Sequence, residues 1–250
     1  MLALITGASS GMGRDMARIL AKNGYDLILV ARRKERLLEL KKELCTNITV
    51  ISMDLSVLDN NYKLYEKVRN KQVDLLINNA GFGLFGEFYE TDLNTELKMI
   101  DLNIKAYHIL TKLFLKDFIK KDQGYILNVC SSAGFMAGPR LSTYYATKNY
   151  VTKLTMAINE ELRVMKSHVH ISALCPGPVA TEFNEVAHGT FAVREASSYE
   201  VASYAIKKLF QHKMIIVPTL LMKSTLFFNR LVPYRLSLYL AYKIQKRKSK

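Results

Sequence analysis

Short apolar runs rich in β-branched residues alternate along this chain with longer stretches whose apolar residues recur every three or four positions. A continuous apolar run of five or six residues suits a strand buried on both faces, whereas a repeat of three to four suits a helix with one covered side. Runs of the first kind fall at 2–6, 26–30, 48–53, 73–78, 124–129, 169–175 and 214–217. Stretches of the second kind lie between them, at about 11–23, 33–45, 57–70, 95–121, 143–166 and 199–212. Regular strand–helix alternation predicts an α/β fold: a doubly wound parallel sheet of about seven strands with helices on both faces.

No internal repeat or low-complexity linker interrupts this pattern, so residues 1–218 read as one catalytic domain and 219–250 as an extension of it. The segment 181–198 has no clear period and is long for a connection. With His188, Gly189 and Thr190 it is the candidate for a lid over a site. In 219–250 apolar residues at helical spacing alternate with Lys and Arg, and Pro233 divides them. Two readings stay open: a helix pair packed on the body, or an amphipathic surface that contacts an anionic membrane peripherally. No uncharged run of about 20 residues could span a bilayer.

Charge sharpens that asymmetry. The 250 residues carry 36 Lys and Arg against 22 Asp and Glu, a net +14, which could attract phosphorylated cofactors, acidic partners, nucleic acid or anionic lipid surfaces. No acidic residue follows Glu200. The three cysteines, Cys45, Cys130 and Cys175, and the five histidines lack metal-ligand spacing, so reduced thiols are expected and no metal. The first residues read as a strand, with neither a charged leader nor a cleavage site, and the expected location is cytoplasmic.

Chemistry enters at the first strand-to-helix junction. Gly7, Gly11 and Gly13, with Ser9, Ser10 and Met12 between them, form a Gly-rich turn. Such a turn points backbone N–H groups and a helix N-terminus at an anion, as a dinucleotide pyrophosphate requires. After the second strand the chain has Arg32 and Arg33 where an acidic residue would select NAD. Arginine can hold a 2′-phosphate by paired charge-assisted hydrogen bonds, so the expected cofactor is NADP. Further on, Tyr144 and Lys148 lie four apart and share one helix face, 13 positions after Ser131. A cation beside a phenol lowers its pKa, which suits proton exchange with a carbonyl or alcohol. These features predict a hydride-transfer enzyme. Tyr145 is the weaker choice, because four positions on it meets Asn149. Ser132 competes with Ser131 but would turn its side chain to the other face of an extended segment, and the spacing to Tyr144 and Gly134 favours Ser131.

These residues resemble the short-chain dehydrogenase/reductase family in its single-domain form. The resemblance rests on Thr6 to Gly13, on Asn78-Asn79-Ala80-Gly81, on Asn103 in Asp101-Leu102-Asn103, on Ser131 with Tyr144 to Lys148, and on Pro176 to Thr181. It covers residues 2–217 and implies a Rossmann-type sheet and a Ser-Tyr-Lys-Asn catalytic set. Tyr144 would be the general acid of carbonyl reduction, Lys148 would tune it, Ser131 would bind the substrate oxygen, and Asn103 would hold a helix and a proton-carrying water. The cofactor would meet Asp54 and Leu55 at the adenine, Asn79, Ala80 and Gly81 beside the fourth strand, and Pro176, Gly177, Val179 and Thr181 near the nicotinamide, besides Tyr144 and Lys148. By itself Asp54 could equally be a helix cap. The implied partners are a small carbonyl or alcohol substrate and further copies of the chain in a homodimer or homotetramer through 95–121 and 143–166. The apolar tail and the candidate lid point to an apolar substrate, and the Lys and Arg, which could dock an acidic carrier, keep a 3-oxoacyl thioester as its rival. No specific nucleic acid is implied. A catalytically silent NADP-binding or membrane-surface module is the alternative.

Overall fold

The computed structural model describes residues 1–183, 195–229 and 231–246. Seven strands form one all-parallel sheet: β1 (Leu2–Thr6), β2 (Asp26–Ala31), β3 (Ile48–Ser52), β4 (Leu75–Asn78), β5 (Gly124–Val129), β6 (Val169–Leu174) and β7 (Ile215–Ile216). Their order across the sheet is β3-β2-β1-β4-β5-β6-β7. The chain winds outward from β1 through β2 to β3, then returns to start again at β4 on β1's other side. That reversal opens a crevice beyond the carboxyl ends of β1 and β4, where open α/β sheets bind ligands.

The helices are α1 (Gly11–Lys22), α2 (Lys34–Glu43), α3 (Leu58–Val68), α4 (Leu93–Ile100), α5 (Tyr107–Lys121), α6 (Ser142–Val164), α7 (Ser198–Leu209), α8 (Leu220–Asn229) and α9 (Tyr234–Lys246). Successive strand residues point to opposite faces, so Leu4 and Ile5 serve different cores. Ile5, Leu29 and Ile77 pack with Met16 and Leu20 of α1 and Val201 and Leu209 of α7. Leu4, Ile28 and Leu76 pack with Leu64 of α3 and Leu110 and Phe114 of α5. The sheet is therefore covered on both sides, and its strands agree with the predicted runs to within two residues at either end.

The stretch predicted as one helix over 95–121 is instead three pieces. It starts earlier because Asp92 caps α4, accepting the Thr95 N–H at 2.7 Å. It then widens into a π-helical turn over Asp101–Ala106 before continuing as α5. In the tail, α8 and α9 follow the two halves set by Pro233. They rest on the body: Tyr242 Oη donates to Glu87 Oε1 at 3.2 Å, and Gln245 Nε2 donates to Tyr145 Oη at 3.0 Å. Among the described residues no helix is long and apolar enough to cross a membrane. Most of the expected lid, with His188, Gly189 and Thr190, lies outside the described residues.

Candidate active site

The crevice opens into a cavity of about 800 Å³ that runs from Arg33 past Tyr144 to the tail helices. Its first wall is the β1–α1 turn. Gly7 and Gly11 have φ of +65° and +50°, a region that favours glycine. A Cβ on Gly7 would lie 2.8 Å from the Ala80 backbone, and one on Gly13 would lie 2.4 Å from the Gly7 carbonyl oxygen. Gly13 therefore packs the helix against the turn, while Gly7, Ser9, Ser10, Gly11 and Met12 line the cavity. Thr6 fastens this turn to the next, accepting the N–H groups of Asn79 and Ala80 at 2.9 and 3.1 Å. Asn79 Nδ2 answers by donating to the Thr6 and Gly7 carbonyls at 3.0 and 3.2 Å.

Two features here fit an anionic dinucleotide. α1 has no side-chain cap and no acidic residue in its first turn, so its leading N–H groups and positive dipole end stay unneutralised. Beside them Arg33 donates to the Ser9 and Ser10 hydroxyls at 3.3 and 2.9 Å and to the Glu182 carboxylate at 2.8 Å. Arg36 also pairs with Glu182. Burial raises the pKa of Glu182, but the bonds to Arg33 and Arg36 outweigh it and hold the carboxyl below its ordinary range. Arg32, Asp54, Leu55, Asn79, Ala80 and Gly81 line the same cavity. The Asp54 carboxylate accepts from the Ser56 N–H and hydroxyl at 3.0 and 2.8 Å, bracing the turn ahead of α3 while Val57 holds that helix's cap position.

At the far end stand Ser131, Tyr144, Lys148 and Asn103. Ser131 follows β5 and caps a short helical turn, accepting the Ala133 N–H at 3.1 Å. Its hydroxyl acts on Tyr144, whose half-buried phenol borders the same cavity. Burial pushes the Tyr144 pKa well up, and the neighbouring Ser131 hydroxyl offsets only part of that. This direction is opposite to the lowering expected from Lys148. Lys148, only 4% exposed, donates from Nζ to the Val129 carbonyl at 2.9 Å and lies 5.9 Å from the Tyr144 ring centroid. Tyr107 Oη donates to the same carbonyl at 3.1 Å. Burial lowers the Lys148 pKa to about 8, opposed by the neighbouring Cys130 and Cys175.

Asn103 sits on the π-helical turn, fully buried. It accepts the Phe82 N–H at 3.2 Å and donates to the Phe82 carbonyl at 2.9 Å and to Thr147 Oγ1 at 3.1 Å. π-helical turns are frequent at functional sites because the extra residue re-aims a side chain. Gly81 lies between Asn103 and Lys148, where a Cβ would sit 2.9 Å from Asn103 Oδ1 and 3.5 Å from Lys148 Nζ. Asn103 and Lys148 stand behind the cavity wall, while Pro176, Gly177, Val179 and Thr181 form part of it.

Residues 1–190 match the short chain dehydrogenase family. The chain is a short-chain dehydrogenase/reductase. An uncharacterized oxidoreductase of Staphylococcus saprophyticus is 33% identical over 187 residues, covering 72% of this chain and 79% of the relative. The human very-long-chain 3-oxoacyl-CoA reductase is 29% identical over 192 residues, covering 74% of this chain and 61% of that protein. Among solved structures, a short-chain dehydrogenase from Sphingobium yanoikuyae in complex with NADPH superposes with a TM-score of 0.81 at 29% identity, covering 88% of each chain.

Three parts of this short-chain dehydrogenase site were missed in the sequence. Glu182 faces Arg33 across 149 positions, and no local signal marks it. Phe183 packs on Tyr144 at 5.2 Å between ring centroids. The tail also contributes a wall, with Leu221, Met222, Phe228, Leu240 and Ile244 lining the cavity. The apolar periodicity of the tail could have shown a buried face, but not what it covers.

Proposed function

We propose that this dehydrogenase/reductase is an NADP-dependent oxidoreductase that interconverts a ketone and a secondary alcohol on a substrate with an apolar or acyl-type body. The observation that carries the reading is the single cavity, which joins an arginine-bearing anion site, the Ser131–Tyr144 pair and the aliphatic wall of α8 and α9. Gly7 to Met12 and Asn79 to Gly81 would cradle the dinucleotide, with Arg33 taking the 2′-phosphate in the place now held by Glu182. Bound there, the nicotinamide would supply or accept the hydride.

The remaining work belongs to the chain. Ser131 holds the substrate oxygen, and Tyr144, kept neutral by burial, gives it a proton as the carbonyl becomes an alcohol. Lys148 stands behind the phenol as an ammonium with a pKa of about 8, so it can pass a proton on near neutral pH. The Val129 carbonyl fixes its Nζ. Asn103 joins the Phe82 backbone to Thr147 on α6 and so keeps that helix, with Tyr144 and Lys148, in place.

The size and apolarity of the far wall favour a long aliphatic ketone or a 3-oxoacyl thioester. Rates of NADPH and NADH oxidation with both substrate series at increasing chain length test the proposal. We expect rates to rise with chain length and NADPH to be favoured at least about tenfold, the worth of one charge-assisted contact. No turnover with either series would refute the reductase assignment, and a preference for NADH would refute the role of Arg33.

A further inference from the structure

The tail helices have a second face that the cavity does not use. Leu220, Phe227, Leu231 and Tyr239 do not line the cavity and are 79%, 60%, 69% and 53% exposed. Leu221, Phe228, Leu240 and Ile244 belong to both surfaces: they line the cavity yet are about half exposed or more. The cavity therefore opens on this face, and aliphatic and aromatic side chains ring its mouth. Exposed apolar groups in such number mark an interaction surface.

Charge narrows the partner. Residues 201–250 hold eleven Lys and Arg and no Asp or Glu, whereas residues 1–200 carry a net charge of only +3. Lys223, Arg235, Lys243 and Lys246 are exposed among the apolar side chains. A second copy docked through this face would bring two such basic surfaces together, because a two-fold interface pairs a patch with itself. An anionic bilayer instead offers negative headgroups for the cations and a hydrocarbon edge for the leucines and aromatics.

We propose that α8 and α9 dock this protein on the surface of an anionic membrane, with the mouth of its cavity against the lipid. Docking does not depend on the oxidoreductase assignment. What rests on that assignment is the consequence: an amphiphilic ketone could enter from the bilayer without crossing water.

Flotation of the full chain with phosphatidylcholine vesicles, with and without phosphatidylserine, tests the surface. We expect partitioning onto the anionic vesicles that weakens as salt is raised. The variant Arg235→Glu/Lys243→Glu/Lys246→Glu should lose about 100-fold of that partitioning, at about a fivefold factor per cation. The variant Leu220→Ser/Phe227→Ser/Tyr239→Ser should bind less than the parent chain at every salt concentration. Both should keep the parent's thermal midpoint and NADPH affinity, so that misfolding is not the cause. The proposal is overturned if the parent chain fails to float, if either variant floats like the parent, or if light scattering shows a dimer that the same substitutions dissolve. Salt-sensitive binding to duplex DNA without vesicle binding would overturn it equally.

Discussion

Lys148 places a charge where the protein opposes it. Its pKa falls from the ordinary 10.5 to about 8 through burial, so folding forces a protonated lysine into an unfavourable site at any pH below about 8. The folded state then binds fewer protons than the unfolded one between pH 8 and 10.5, and stability should rise with pH across that window as the penalty is relieved. Lys148→Met should therefore stabilise the fold by about 1–3 kcal/mol below pH 8 while turnover is lost, and the advantage should shrink toward pH 10.5. Thermal melts of both chains across pH check this, and a less stable variant at neutral pH would contradict it. Glu182 makes a second residue-scale case. Its pairs with Arg33 and Arg36 are partly exposed and so worth little, about 0.2–1 kcal/mol each. Glu182→Gln should raise NADPH affinity by about two- to tenfold and leave NADH affinity alone, measured by titration of cofactor fluorescence. Spacing pointed to Tyr144 and Lys148, since residues four apart share a helix face, whereas Ser131 came from the family resemblance. The direction of the Tyr144 shift was not legible, because the groups that bury it, Phe183 among them, are distant in sequence.

At the scale of elements, the β–α alternation was readable because parallel strands buried on both faces leave continuous apolar runs. The π-helical turn was not. Its residues keep helical spacing to within one position, and only the tertiary demand that Asn103 reach Phe82 and Thr147 distinguishes it from an ordinary helix. Asn103→Ala would strand the Phe82 N–H and the Thr147 contact and should cost about 1–3 kcal/mol, read as a lower midpoint in denaturant. Asn103→Asp could restore only the acceptor bond. The tail helices were legible as amphipathic but ambiguous in partner, and the structure shows inner contacts to Glu87 and Tyr145 together with an exposed outer face. Met222 lies against Gly177, where an added Cβ would be 3.0 Å from its Cγ. Met222→Trp should fill this part of the cavity, lowering kcat/KM for long-chain ketones by about tenfold or more while short ketones and NADPH affinity are spared.

For the whole molecule, the sheet order turns a local motif into a site. Because β4 returns beside β1, the Gly7 turn and the Asn79–Gly81 segment meet, and the Thr6–Asn79 bonds lock them. β5 and β6 then extend the same edge, so Ser131 after one and Pro176 after the other end up on one cavity 45 residues apart in sequence. The account as a whole stands on Tyr144 as the proton donor of this cavity. The most direct measurement compares Tyr144→Phe with the parent chain, reading NADPH affinity by fluorescence and NADPH oxidation with a ketone that the parent enzyme reduces. The account predicts unchanged affinity and a rate lower by about 10²–10⁴-fold, the usual contribution of a positioned acid. A variant that still reduces the ketone at a comparable rate would contradict it.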